Sequence, residues 1–134
     1  MSSIKGNNPS FLAASSVSAG LSVKITGISG GLTQVAQSDD GTTATGDTNI
    51  GTALESVSAG ELVAVQVDGI VEFAIAGGVI PPGSRVTCNA SGEYVAAASG
   101  DRSVGVLIGG KSSTGATAAG AQCTILLNGP LDIA

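Results

Sequence analysis

The chain has 134 residues, a net charge of −5, no histidine or tryptophan, and only one Tyr and two Phe. That length holds one domain, and the missing histidine removes the commonest general base. The five cations, Lys5, Lys24, Arg85, Arg102 and Lys111, are scattered, so no basic stripe displaces counterions from phosphates and few aromatic rings can stack on bases.

The apolar 43% of the chain is mostly Ala, Val, Ile and Leu. A fully buried Val, Leu or Ile contributes about 1.5–3 kcal/mol, whereas Gly, Ala and Ser bury little area. The core is therefore expected to be thin, with backbone ladders and packing against copies or a host surface adding stability. No stretch approaches the ~20 apolar residues of a membrane-spanning helix, and the apolar run at 11–14 is too short for a signal-peptide core. A soluble protein made in a host cytoplasm is expected.

Residues 1–15 are rich in Ser, Asn and Gly, a composition suited to an extended N-terminal arm rather than an independent fold. The remainder, 16–134, is expected to be a single β domain. From Gly20 the text alternates: Val23 and Ile25 share one face, with Ser22, Lys24 and Thr26 on the other, which predicts a half-buried strand. "GGLTQVAQ" follows, then "SDDGTTATGD", a polar excursion. Its acids, Asp39, Asp40 and Asp47, match no EF-hand spacing, so no metal site is assigned.

Further on, Val63, Val65 and Val67 alternate with Ala64, Gln66 and Asp68, and Val71, Phe73 and Ile75 alternate after Gly69. Asp68-Gly69 between two such runs predicts a hairpin turn, with a bulge as the competing account. "IPPGSRVTC" opens another strand, its prolines fixing the approach and Gly83 taking the turn. Gly, Thr, Ser and Val interrupt every window that a helix would need. Cys88 and Cys123 sit in strand-like runs and read as small buried hydrophobes, a bridge between them being the alternative.

The phrase "SVSAG" occurs at 16–20 and again at 56–60, each time before an alternating run, and reads as a small-residue turn that launches a buried strand. A broader correspondence places Gly20 on Gly83, Val23 on Val86, "GDTNIG" at 46–51 on "GDRSVG" at 100–105, and "SAGELVAVQVDG" on "AAGAQCTILLNG". The expected architecture is all-β and built from two pseudo-repeated halves, about 19–69 and 82–129, which could close their sheets on each other and cover edges neither covers alone.

Motifs of chemistry are absent or out of context. "GVLIGGKS" at 105–112 satisfies the P-loop formula, but its intervening Val106, Leu107 and Ile108 are strand-like and no helix follows. No serine stands in a nucleophile elbow. Glu55, Glu61, Glu72 and Glu93 fall on outward or turn positions. Asn89-Ala90-Ser91 is a formal glycosylation sequon better read as turn chemistry, and Asp47 and Asp101 read as turn caps. No catalytic, cofactor-binding or metal-binding residue is assigned, and no small-molecule substrate, nucleic acid or membrane is expected as a partner.

The stretch from Gly51 to Asn128, with "AGE" before "VAVQVDG", "IPPGSRV", "GDRSVGVLIGG" and the final "AAGAQCTILLN", resembles the small phage capsid cement, or decoration, proteins grouped as a domain of unknown function. The resemblance implies a β-tulip or β-clip-like barrel on the outside of an assembled head, at junctions between major capsid protein subunits, reinforcing the shell. It also implies self-association, as a homotrimer or a dimer, and a virion location. Within that frame Ile4, Lys5, Asn7, Asn8, Pro9, Phe11 and Leu12 form a candidate capsid-contact arm that adds a strand or inserts Phe11 into a groove. A structural module of a tail, fibre or cell-surface assembly is the alternative, and a β-clip enzyme or ligand binder a third.

Overall fold

In β5, Val63 and Val65 are fully buried, while Ala64 between them is half-buried and Leu62 exposed. The alternation recurs at Cys123, Ile125 and Leu127. The face expected for Val23 and Ile25 is broken by register shifts in the pairing, which leave Ser22 buried beside Val23 and Ile25 40% exposed. A computed structural model describes residues 9–39, 49–110 and 121–132. Among these are ten strands and no helix: β1 (Ser10–Ala13), β2 (Ser22–Ser29), β3 (Leu32–Gln37), β4 (Asn49–Ala53), β5 (Leu62–Gln66), β6 (Gly69–Ile75), β7 (Arg85–Cys88), β8 (Tyr94–Ala96), β9 (Arg102–Gly110) and β10 (Gln122–Asp132).

The strands form two sheets with the same internal order. Reading from the first strand, one runs β1-β5-β4-β2-β3 and the other β6-β10-β9-β7-β8. The correspondence extends to single hydrogen bonds. Gly20 donates to the Ala53 carbonyl at 2.9 Å as Gly83 does to that of Leu107 at 2.8 Å, and Ala13 donates to Glu61 at 2.9 Å as Ala76 does to Ala121 at 2.8 Å. Val23 faces Gly51 in one sheet and Val86 faces Gly105 in the other.

The two sheets differ in closure. In the first, β1 is antiparallel to β5 and parallel to β3, with Leu12 opposite Gln34 and Ala13 opposite Val35, so the strands pair in a ring. In the second, the equivalent seam is a single parallel bridge, Ala76 to Tyr94. Strand β8 spans only three residues, so the second sheet stays open. The halves therefore do not close on each other into one barrel. Each packs its own core: Val17, Val23, Val35, Val63 and Val65 inside the ring, and Val71, Ile80, Val86, Tyr94, Leu107 and Ile125 on the second sheet.

Two sequence expectations are resolved here. The Asp68-Gly69 hairpin does not form, because β1 and β4 already occupy both edges of β5; the dipeptide is instead the crossover between sheets. Gln66 holds it there, its Nε2 donating to the carbonyls of Asp68 at 3.0 Å and Ile70 at 2.8 Å. The two "SVSAG" copies face each other. Val17 and Val57 exchange backbone hydrogen bonds of 3.0 and 2.9 Å, and Gly60 donates to Ala13 at 2.8 Å just as Gly20 does to Ala53. The repeated phrase thus marks a local two-fold axis inside the ring, and both copies end in a glycine at positive φ, +86° and +88°, a conformation costly for other residues.

Gly51 and Gly105 occupy equivalent close approaches: a Cβ added at either would collide with the backbone carbonyl of the next strand, at Gln66 or Leu126 respectively. Backbone cannot move aside as a side chain can, so Gly51→Ala and Gly105→Ala should each cost about 3 kcal/mol or prevent folding. Gly78, which has nothing within 4 Å of an added Cβ, should accept Ala within about 0.5 kcal/mol. Urea unfolding of the three variants measures both.

Candidate functional site

The buried polar groups concentrate where the ring meets the second sheet. Tyr94, fully buried, donates its hydroxyl hydrogen to the Gly51 carbonyl at 3.3 Å, and its oxygen then accepts from Thr52 Oγ1. Beside them Ser22 and Ser38 hydroxyls lie 3.1 Å apart, Ser38 Oγ donates to Asn49 Oδ1, and Asn49 Nδ2 donates to Cys88 Sγ at 3.4 Å. Backbone bonds join the same bodies, Ser22 donating to Gly92 at 2.9 Å and Ile75 to Gly20 at 3.0 Å. All six side chains are at most 4% exposed.

Within this seam each hydroxyl proton is spent on a neighbour, which satisfies the polar groups that burial would otherwise penalise. Burial pushes the Tyr94 hydroxyl far above its ordinary pKa, against the opposing effect of its bonds to Thr52 and Ser22. Burial also raises the Cys123 thiol to about 11. Neither group ionises near neutrality. The work of the cluster is cohesion: it registers one sheet against the other.

The residues singled out in the sequence fall elsewhere. Phe11 is half-buried in β1, faces Val63 across the ladder and packs against the ring core, so its ring is engaged in the protein's own barrel. Leu12 stands between Leu62 on β5 and Gln34 on β3. Pro9 is exposed, and its carbonyl accepts from Val65 at 3.0 Å. Ile4, Lys5, Asn7 and Asn8 lie outside the described residues.

Of the other motifs, residues 105–110 of the P-loop look-alike lie within β9, paired with β10, while Lys111 and Ser112 are outside the described residues. The sequon residue Asn89 is a turn former: its Oδ1 accepts from Ser91 at 2.9 Å and Glu93 at 3.1 Å. Asp101 caps its turn by accepting from Ala98 at 2.8 Å. Asp39 pairs with Lys24 at 2.7 Å; Asp40 and Asp47 are not among the described residues. Cys88 and Cys123 are buried and unbridged.

The polar seam was not found from sequence, because Tyr94 and Thr52 are separated by 42 positions and neither belongs to a motif. A second prominent feature is the β2–β3 hairpin, which turns at Gly30-Gly31 between its two strands. Ile28 near its tip is 75% exposed, the most exposed large apolar side chain among the described residues.

No family model and no curated protein sequence matches the chain. Among solved structures, it is similar to the head fiber gp8.5 N base in bacteriophage phi29. The TM-score is 0.65 and the identity 18%, over 94% of this chain and 98% of that one. At that identity the likeness is one of fold, and it spans both sheets rather than one.

Tyr94→Phe should cost about 1–3 kcal/mol in urea unfolding, because the Thr52 hydroxyl and Gly51 carbonyl lose their buried partner. The folded protein holds the Cys123 proton more tightly than the unfolded chain, whose thiol titrates near 9.0. The thiol's contribution to stability should therefore be constant below about pH 9 and be lost, by roughly 2–3 kcal/mol, as pH rises through 11. Cys123→Ala should flatten that part of the fall; an equal alkaline loss in the variant would show that Cys123 does not carry it.

Proposed function

We propose that this protein is a structural component of a phage virion that binds the outer surface of the assembled head, at junctions between major capsid protein subunits, and stabilises the shell. The observation that carries this reading is the fold shared with the phi29 head fiber base over nearly the whole of both chains. The sequence resemblance to cement proteins points the same way. Two cores joined by a buried polar seam make a preorganised body that loses little conformational freedom on docking. Contacts that are weak singly gain avidity when repeated over a shell. The working surface in this reading is a protein contact, with no catalytic step and no cofactor.

A second reading, favoured by the same neighbour being the base of a fiber, makes the domain the attachment base of a head fibre or another fibre or tail module. The two differ in occupancy: cement covers the shell, whereas a fibre base stands at discrete positions.

Heads assembled from the cognate major capsid protein without this chain, then mixed with the purified protein, test both. Cryo-electron microscopy should show added density at subunit junctions over the outer surface, and the heads should resist heating better. Sparse density at fibre positions would establish the second reading, and no binding would reject both. Because β1 begins at Ser10 and helps close the ring, the arm is tested by deleting residues 2–8. Lost occupancy with an unchanged melting temperature would assign attachment to that segment, and full occupancy would remove it from the interface.

A further inference from the structure

The geometry points to the β2–β3 hairpin as a preformed anchor whose tip, Ile28 and Leu32, seats in an apolar, uncharged cleft of a partner protein. This rests on the proposed function, with the cleft placed between subunits of the head shell.

The hairpin is clamped at its base and open at its end. Lys24 Nζ and Asp39 Oδ1 meet at 2.7 Å, and the Ser38 amide donates to the Ser22 carbonyl at 2.8 Å. Gln37 Nε2 reaches the second sheet by donating to the Ser91 carbonyl at 2.8 Å. Both sheets thus hold its base. Among the described residues, the ladder to β4 includes Lys24 opposite Asn49, and the ladder to β1 starts at Gln34. Among the same residues, Gly27, Ile28 and Ser29 pair with Gln34, Thr33 and Leu32 of the opposite arm.

The tip is well specified. Gly30 and Gly31 have φ of +59° and +82°, the left-handed pair that a tight two-residue hairpin requires. A register shift between Ile25 and Gly27 marks a bulge, which increases local twist and bends a hairpin away from its sheet. The end therefore has one shape before it meets anything, and preorganisation lowers the cost of binding.

Its chemistry selects the partner. Residues 25–38 contain no charged side chain, in a chain of net charge −5. Ile28 is 75% exposed, Leu32 44% and Ile25 40%. An uncharged tip offers nothing to phosphates and no cations to an anionic membrane surface. A protruding β-branched and leucine pair fits a dehydrated protein pocket, and in such interfaces a few central, fully desolvated side chains carry most of the affinity.

The test uses the full-length protein, its Ile28→Asp and Leu32→Ser variants, and undecorated heads of the cognate major capsid protein as the probe. Val79→Ser, an exposed apolar position between β6 and β7 of the second sheet (68%), is the control. Co-sedimentation should show at least tenfold weaker binding for Ile28→Asp and weaker binding for Leu32→Ser. The control should bind as wild type, and all melting temperatures should agree. Wild-type affinity in both hairpin variants would overturn the anchor while leaving the shell reading intact. Failure of the wild type itself to bind heads would overturn the shell reading and this partner together. If light scattering shows Ile28→Asp dissociating a wild-type oligomer, the tip is a self-contact and the proposed partner is wrong.

Discussion

Closure of the first sheet by β1 is the constraint on which the remaining structure depends. With few large apolar side chains, backbone hydrogen bonding must carry an unusual share of the order, and a strand edge left open is both unsatisfied and adhesive. Four residues, Ser10–Ala13, satisfy two edges at once, antiparallel to β5 and parallel to β3. That leaves β5 no edge for β6. The chain must cross to a second sheet at Asp68-Gly69, and the division into two bodies follows.

The second body repeats the strand order of the first without completing it. Its β8 meets β6 through one bridge at Tyr94, and the same residue reaches the ring through Thr52 and the Gly51 carbonyl. Val35 holds the equivalent place in the ring, opposite Ala13. The replacement of an aliphatic by the chain's single tyrosine adds a polar end to a buried ring, so one side chain closes a core and joins two sheets. Gly51 serves the same junction: its bare Cα lets β5 approach, and its carbonyl accepts the tyrosine hydroxyl.

Cohesion and display are separated in space. The polar seam is buried between the sheets, while the exposed apolar side chains Ile25, Ile28 and Leu32 gather on the β2–β3 hairpin. A body that holds itself together internally can present such an element without reshaping, which suits a component whose proposed role is to dock repeatedly on a large assembly.

What the sequence by itself determined is local: the period-2 alternation at Val63–Val65, the glycine turns, the absence of helix among the described residues, and the correspondence of Gly20 with Gly83 and Val23 with Val86. These depend on φ, ψ and side-chain direction within a few residues, so the letters carry them. The tertiary structure alone decided which sheet closes, why Asp68-Gly69 is a crossover, that Phe11 packs inward, and that Ser22, Ser38, Asn49, Thr52, Cys88 and Tyr94 meet. Each of these turns on which strand edges remain unoccupied once other strands have paired, and that competition is non-local, settled between residues tens of positions apart.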